Sequence, residues 1–487
     1  VTSTSETTAI THIIGGERIE SGPAQHDVSP SDSTDIVASW GAASEDLARQ
    51  AIEAAVAAAP GWAATTGAQR GEILTNAGLE LDRRANELGR VLAREEGKTL
   101  PEAIAEVRRA AQIFLFQGGQ AVRNRGQLID SVRADVEISI TREPLGVVSV
   151  IAPWNFPIAI PAWKIAPALA YGNTVILKPS EAVPASAWHL VDVLHRAGLP
   201  NGVLNLVLGR GKDIGDTLTG SVGIDAVTFT GSESTGRRVL DRTSAAGIRA
   251  QLEMGGKNPL VVLDDADIDV AVTQALTGAF GSTGQRCTAS SRLIVTRGIH
   301  DRFVDRLGAA MAAWRVGHAL GDGIDMGPVV DQGQLDKDRR YVAAAAAAGR
   351  EVVGGQLEEA ETDGFFMRPA LVLGTEPTDA INREEVFGPV ASVIKVDDYQ
   401  HALAVANDTP YGLTAGIITT SLAAAHDFRK RAQAGMVMVN LATAGVDFHV
   451  PFGGRGASSF GPREQGEHAR EFFTQVKTAY VAAGAAS

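Results

Sequence analysis

The sequence predicts an α/β protein of two domains, each built on an open, mostly parallel sheet. Three observations carry this. The chain has 487 residues, 45% of them apolar, which is more than a single hydrophobic core organises. From residue 146 to 256, β-rich runs (VVSVI, NTVILK, GVLNLVLG, DAVTFTG) alternate with segments of helical spacing (SAWHLVDVLHRAG, TGRRVLDRTSA), the rhythm of strand-helix-strand crossovers. After Pro259 the rhythm restarts, so the domain break falls near residue 256.

Residues 10–22 read as a small hairpin. Ser44 can cap a helix through the Ala-rich segment to Pro60-Gly61, because its hydroxyl accepts from free first-turn amides. Helical stretches follow near 69–100 and 101–117. Residues 126–144 alternate as strands do and stand apart as an excursion from the main pattern. Beyond Pro259, PLVVL leads to a helix capped by Asp267 and ending about Phe280, then a Gly-rich loop with Cys287 and the strand RLIVT. Helices are expected over about 301–316 and 335–348; consecutive Ala residues favour the second and Gly349 stops it. No fixed-period repeat is visible.

The net charge of −13 is dispersed, and no basic tract interleaves with aromatics, which argues against nucleic acid or an anionic membrane as partner. The first residues lack a basic region followed by an apolar run and a cleavage site, so the cytoplasm is the expected location. Residues 151–172 are almost wholly apolar, yet Pro153, Pro157, Pro161 and Pro167 would disturb a spanning helix and Lys164 would be costly in lipid. A buried strand-to-helix passage is expected instead. The single cysteine excludes an intrachain disulfide and a thiolate-rich metal site.

Two glycine-rich turns compete for a nucleotide. LVLGRGKDIG supplies Gly209, Gly211 and Gly215 in GxGxxxG spacing, with Ile214 where the dinucleotide fingerprint has its last glycine. In VTFTGSESTGRRVL a strand runs into Gly231-Ser232 and directly into a helix, where amides and the Ser232 hydroxyl could hold a phosphate. KPSE follows a strand, so Lys178 and Glu181 suit either a ribose or a surface ion pair.

GSTGQRCTAS sets Cys287 between a predicted helix and strand, after Gly284 and beside Arg286. A lone cysteine is usually a small core residue, but a flexible loop lets amides converge on a reacting oxygen, and nearby positive charge would lower the thiol pKa. Glu253, before Gly255-Gly256, is a candidate base or a carboxylate that ties backbone amides at the domain junction. No histidine shares a nucleophile motif; His449 is nearest by local context.

With these blocks in view, the sequence resembles the aldehyde dehydrogenase superfamily. PWNFP (153–157), KPSE (178–181), FTGSESTG (229–236), LEMGGKNP (252–259), GQRCT (284–288), EEVFGPV (384–390), NDTPYGLTAG (407–416) and PFGG (451–454) occur in the family's order and span most of the chain. The resemblance implies a Rossmann-like NAD(P) domain from 1–125 and 145–255, an α/β catalytic domain from 256–460, and a small β oligomerisation element from 126–144 and 461–487. It implies a homodimer or homotetramer.

Carried over by position, the resemblance makes Cys287 the nucleophile, Glu253 the base for thioester hydrolysis, Asn155 with the Cys287 amide the oxyanion hole, and Lys164 an electrostatic aid. It places the cofactor on Ile151, Trp154, Lys178, Ser180, Glu181, Gly211, Phe229, Gly231, Ser232, Gly255, Glu385 and Phe387. The chemistry implied is thiolate addition to an aldehyde, hydride loss to the nicotinamide, and hydrolysis of the thioester to a free acid, with no metal required. CoA-acylating relatives generally lack the Glu253 equivalent, and a binding-only descendant would be expected to have lost one of the three central residues.

Within the family, PAWKIAPALAYGNTV, GLPNGVLNLVLGRG and TAGVDFHVPFGG with SSFGPREQGEHAREFFTQVKTAYV resemble α-ketoglutaric semialdehyde (2,5-dioxopentanoate) dehydrogenases. A small anionic aldehyde asks for a cation, and Arg286 and Arg109 are the first candidates, with Arg455 and Arg463 behind them. Phe156 and His449 are expected at the same pocket. Succinate semialdehyde oxidation and broad aldehyde specificity are the alternatives, although Trp163-Lys164 departs from the Arg-Lys often found in the succinate group. Glu181 favours NAD because it repels a 2′-phosphate, while Lys178 tolerates one, so NADP is the second cofactor.

Overall fold

The computed structural model describes residues 7–123 and 126–482. The outermost parts of the expected first domain and oligomerisation element, 1–6, 124–125 and 483–487, lie outside them.

Two sheets organise the described residues. The first has strand order Ser459–Phe460, Arg249–Glu253, Ala226–Thr230, Val147–Ile151, Thr174–Lys178, Leu204–Leu206, His12–Ile14 and Glu17–Ile19. Its five middle strands are parallel; the hairpin predicted at 10–22 pairs antiparallel at one end and Ser459–Phe460 does so at the other. VVSV, TVILK and AVTFT are buried throughout. Such unbroken buried, mostly β-branched runs are what a sheet covered by helices on both faces demands. From Val147–Ile151 the chain builds outward on one side, then returns to add Ala226–Thr230 on the other. That reversal opens a crevice at the carboxyl ends of the two adjoining strands, the usual ligand position in open α/β sheets.

The second sheet runs Glu351–Gly354, Ala370–Leu373, Val390–Val396, Arg292–Thr296, Pro259–Val262, Thr414–Ile418 and Met436–Val439. It starts three residues past Gly256. Ser459–Phe460, however, returns to the first sheet and pairs with Leu252 and Glu253.

The 126–144 excursion becomes Gly126–Asp130 and Val136–Pro144, joined by Thr474–Ala482 in a separate antiparallel sheet. Leu128, Ile129, Val476 and Tyr480 are exposed there. Residues 151–172 form the end of one strand, an irregular turn and the twelve-residue helix Ala159–Ala170. Among the described residues no helix is long and apolar enough to cross a membrane.

Some helix boundaries differ from expectation. The first helix, Glu45–Ala64, passes through Pro60, with Ser44 Oγ accepting from Leu47 N at 3.2 Å as its cap. Trp62, just beyond, is buried, so packing of that ring keeps the last turn helical. The stretch at 69–100 is two helices, Gly67–Arg83 and Ala85–Glu96, broken at Arg84, whose ψ of 11° leaves the helical range. Ala24–Val28 and Ile36–Gly41, paired in a small sheet, were not predicted, being short and without clear alternation.

Candidate active site

The crevice at the reversal is a cleft of about 530 Å³. Ile151, Trp154, Lys178, Ser180, Glu181, Gly211, Phe229, Gly231 and Ser232 all line it. The two competing glycine turns thus both line one cleft. Ser232 caps the helix Glu233–Ala246, its Oγ accepting from Thr235 N, and Gly211 opens the neighbouring helix Gly211–Gly220. Lys178 and Glu181 are 3.6 Å apart, with Glu181 half exposed at the rim. Burial lowers the Lys178 pKa, opposed by Glu181.

A second cleft of about 370 Å³ is lined by Cys287, Phe156, Arg109 and Arg286. PWNFP bridges the two clefts: Trp154 faces the first, Phe156 the second, and Asn155 is buried between. Trp154 meets Phe387 edge-on at 5.4 Å, and Phe387 holds a left-handed φ of 67°. A Cβ at Gly255 would stand 2.2 Å from Glu385 Oε2. Glycine there lets the Glu385 carboxylate close in and accept from Gly256 N at 2.9 Å.

The loop before Cys287 is tightly wound. Ser282, Thr283 and Gly284 have φ of 49°, 57° and 68°, and a Cβ on Gly284 would meet Gly388 O at 2.1 Å. Asn258 fixes the far side, donating to Cys287 O at 2.7 Å and Ala289 O at 2.9 Å. Asn155 Nδ2 donates to Gln285 O at 2.9 Å, which brings its amide against the cysteine loop. Asn155 is itself held from behind: Lys98 Nζ donates to its carbonyl at 2.8 Å and to Glu106 at 2.6 Å. The other Glu106 oxygen accepts from Ile158 N and Ala159 N. Burial works against the Lys98 charge, but Glu106 and Glu96 outweigh it and raise its pKa.

Glu253 ends its strand 2% exposed. Ser459 Oγ donates to Oε2 at 2.6 Å, while Oε1 has no partner among the described residues. Burial, and then the Glu464 carboxylate, hold Glu253 well above the ordinary carboxylate range. Lys164 is buried and directed at Glu464, with Thr228 Oγ1 at 2.9 Å. Gly453, with φ 145°, would place a Cβ 2.8 Å from Glu253 Oε1, so the glycine of PFGG keeps that oxygen clear.

Three expectations are corrected. The Cys287 thiol is not depressed: burial, then Glu385 and Glu253, push its pKa well up, with only its own amide N–H opposing. The charge expected from Arg286 is spent elsewhere, on Glu102 at 3.1 Å and Ser282 Oγ at 2.7 Å. His449, expected at the pocket, is exposed and outside both clefts, its ring packed edge-on against Phe448 at 5.1 Å. Arg109 does line the second cleft, bonded to Val446 O and beside Phe448.

Sequence reasoning missed Lys98, Glu106, Asn258 and Glu464. Glu106 left a signal: it shares the buried stripe of the helix Leu100–Gln120 with Ala103, Val107 and Ala110. A carboxylate on an apolar stripe needs a partner, and the nearby lysine supplies it.

The aldehyde dehydrogenase family model matches residues 19–479. The chain is 41% identical over 475 residues to alpha-ketoglutaric semialdehyde dehydrogenase of Bacillus subtilis, covering 96% of this chain and 97% of the relative. It is 42% identical over 473 residues to alpha-ketoglutarate semialdehyde dehydrogenase of Haloferax volcanii, covering 96% and 98%. Among solved structures, betaine aldehyde dehydrogenase of Staphylococcus aureus in complex with NAD+ superposes with a TM-score of 0.94 at 31% identity, covering 97% of this chain and 95% of that one.

Proposed function

The chain belongs to the aldehyde dehydrogenase family, and from that premise we propose that it oxidises α-ketoglutaric semialdehyde to α-ketoglutarate in the cytoplasm, with NAD preferred over NADP. The observation that carries the substrate class is Arg109. Three cations line the Cys287 cleft; Lys98 is bound to Glu106 and Arg286 to Glu102. Arg109 alone of these has no carboxylate within ion-pair distance among the described residues, and its bonded partner is a neutral carbonyl. A half-buried guanidinium with unused donors suits a substrate carboxylate. Two relatives named for this semialdehyde support the choice.

The donor set of the first cleft fits a dinucleotide: amides and a hydroxyl at a helix start for the diphosphate, and Lys178 with Glu181 for a ribose. Glu385 and Phe387 would hold the nicotinamide end. When bound, NAD(P) supplies the acceptor for the departing hydride. The chain's own residues do the rest. Cys287 Sγ, as the thiolate, attacks the aldehyde carbon, and the oxygen that becomes negative is met by Asn155 Nδ2 and the Cys287 amide. After the thioester forms, Glu253 takes a proton from water, hydroxide oxygen adds to the acyl carbon, and Cys287 leaves as thiolate. The Glu253 oxygen left without a partner is the one available for that water.

A panel of α-ketoglutaric semialdehyde, succinic semialdehyde, betaine aldehyde and benzaldehyde, run with NAD and NADP, tests the reading. The first substrate with NAD is expected to give the highest kcat/KM. Arg109→Met should lower kcat/KM for the acidic aldehydes about 10- to 100-fold, mainly through KM, as for a lost charge-assisted hydrogen bond. A preference for uncharged aldehydes removes the semialdehyde assignment and leaves the family intact.

The separate three-stranded sheet, with its exposed apolar positions, is proposed as the contact with a second copy, giving a dimer or a pair of dimers. Light scattering at the monomer mass would remove this assignment.

A further inference from the structure

We propose that the Gln465 carboxamide is a specificity element of the Cys287 cleft that reads the 2-oxo acid end of the substrate, apart from the reacting aldehyde. This rests on the semialdehyde reading above. Gln465 forms part of the cleft wall and is 2% exposed. Neither its Oε1 nor its Nε2 has a hydrogen-bond partner among the described residues. Buried amides are almost always satisfied, because desolvating one without a partner is unfavourable.

The backbone adds a second unfavourable feature. Gln465 has φ 60° and ψ 170°, a region that glycine tolerates and side chains avoid. Its neighbours impose this conformation. Glu464 is fastened to Phe452 by reciprocal backbone bonds of 2.8 and 2.9 Å, and Gln465 O accepts from Ala469 N at 3.2 Å. Gly466 then turns so closely past His449 that a Cβ would lie 2.5 Å from the His449 carbonyl. A strained backbone and an unpaired amide at one residue, in the wall of the cleft that holds the nucleophile, mark a group retained for a ligand and not for the fold.

The same lining set contains two more unmatched donors, Trp163 Nε1 and Arg286 Nε. With Arg109, the cleft therefore offers several N–H groups and one buried carboxamide, that of Gln465, the other lining amide, Gln112, being exposed. An alkyl or aryl aldehyde leaves them unpaired. A simple terminal carboxylate meets Arg109, whereas a carboxylate carrying an adjacent keto oxygen brings a further acceptor for the Gln465 amide. The ligand class this arrangement selects is a 2-oxo acid.

Gln465→Met keeps the length of the side chain and removes its hydrogen bonding; Gln465→Asn keeps the amide but withdraws it. For each, kcat/KM is measured with α-ketoglutaric semialdehyde, succinic semialdehyde and benzaldehyde, together with the thermal midpoint of the cofactor-free protein. The ratio of the first substrate to the second is expected to fall about 10- to 100-fold in Gln465→Met and in the same direction in Gln465→Asn. The thermal midpoint of Gln465→Met should stay level or rise, because an unpaired buried amide has been removed. An unchanged ratio overturns the proposal, and so does a lower thermal midpoint or failure to fold, since either means the amide supports the fold. Wild-type enzyme that does not prefer the 2-oxo acid overturns this proposal and the semialdehyde reading together. A wild-type preference that survives in Gln465→Met overturns the role of Gln465 alone.

Discussion

Cys287→Ala is expected to lower aldehyde oxidation by roughly four orders of magnitude or more, with the affinity for NAD little changed. The size follows from covalent catalysis: without sulfur no adduct forms, and the remaining oxyanion donors have no intermediate to stabilise. Cofactor affinity should survive because the nucleotide cleft and the Cys287 cleft are lined by different residues. Stopped-flow absorbance of the reduced cofactor and a fluorescence titration with NAD separate the two quantities. Residual turnover within tenfold of wild type would show that the thiol is not the nucleophile. The raised thiol pKa sharpens the expectation, since burial and the nearby carboxylates Glu385, Glu253 and Glu464 favour the protonated group. Attack then requires proton removal as the sites fill, and a reactive-thiol label should modify the cofactor-free protein slowly at neutral pH.

Glu253→Gln is expected to complete one half of the cycle and stall. One equivalent of reduced cofactor per active site should appear, followed by a steady rate about 10²- to 10⁴-fold below wild type. Mass spectrometry of the quenched protein should find the acyl group on Cys287. The pH dependence has a definite sign. Glu253 acts as the deprotonated base, and its folded pKa lies well above the ordinary carboxylate range because of burial and Glu464. Activity limited by hydrolysis is therefore lost as pH falls through that raised value, earlier than an exposed glutamate would allow, and this acid limb should vanish in Glu253→Gln. A variant with no burst and no acyl-enzyme would place Glu253 before the thioester instead of after it.

Much of this organisation was legible in the sequence because it depends on local pattern. Apolar runs bounded by turns gave the parallel strands, and the restart after Pro259 marked the second sheet. The residues lining the nucleotide cleft follow strand ends, where sequence order and spatial order coincide. What escaped depends on contacts distant along the chain. Lys98 meets the Asn155 carbonyl 57 residues away, and Lys164 meets Glu464 at a separation of 300. No local pattern encodes such a pairing. The thiol environment was misread for the same reason: Arg286 is adjacent in sequence, but its guanidinium finds Glu102 across the cleft. His449 misled through its position between Phe448 and PFGG, although the backbone turns its ring outward.

The return of Ser459–Phe460 to the first sheet has a consequence for the order of assembly. Ser459 supplies the hydroxyl on Glu253 from 206 residues further along, and Glu464 reaches Lys164 from the same segment. During synthesis the thiol and its loop emerge from the ribosome well before these partners do. The nascent chain thus carries a cysteine in an unfinished setting, and the water-activating half of the site is completed only when the segment around 459–464 docks. A ribosome-bound chain stopped before Ser459 should therefore hold its first sheet with an open edge beside Leu252 and Glu253, a natural point of recognition for a chaperone.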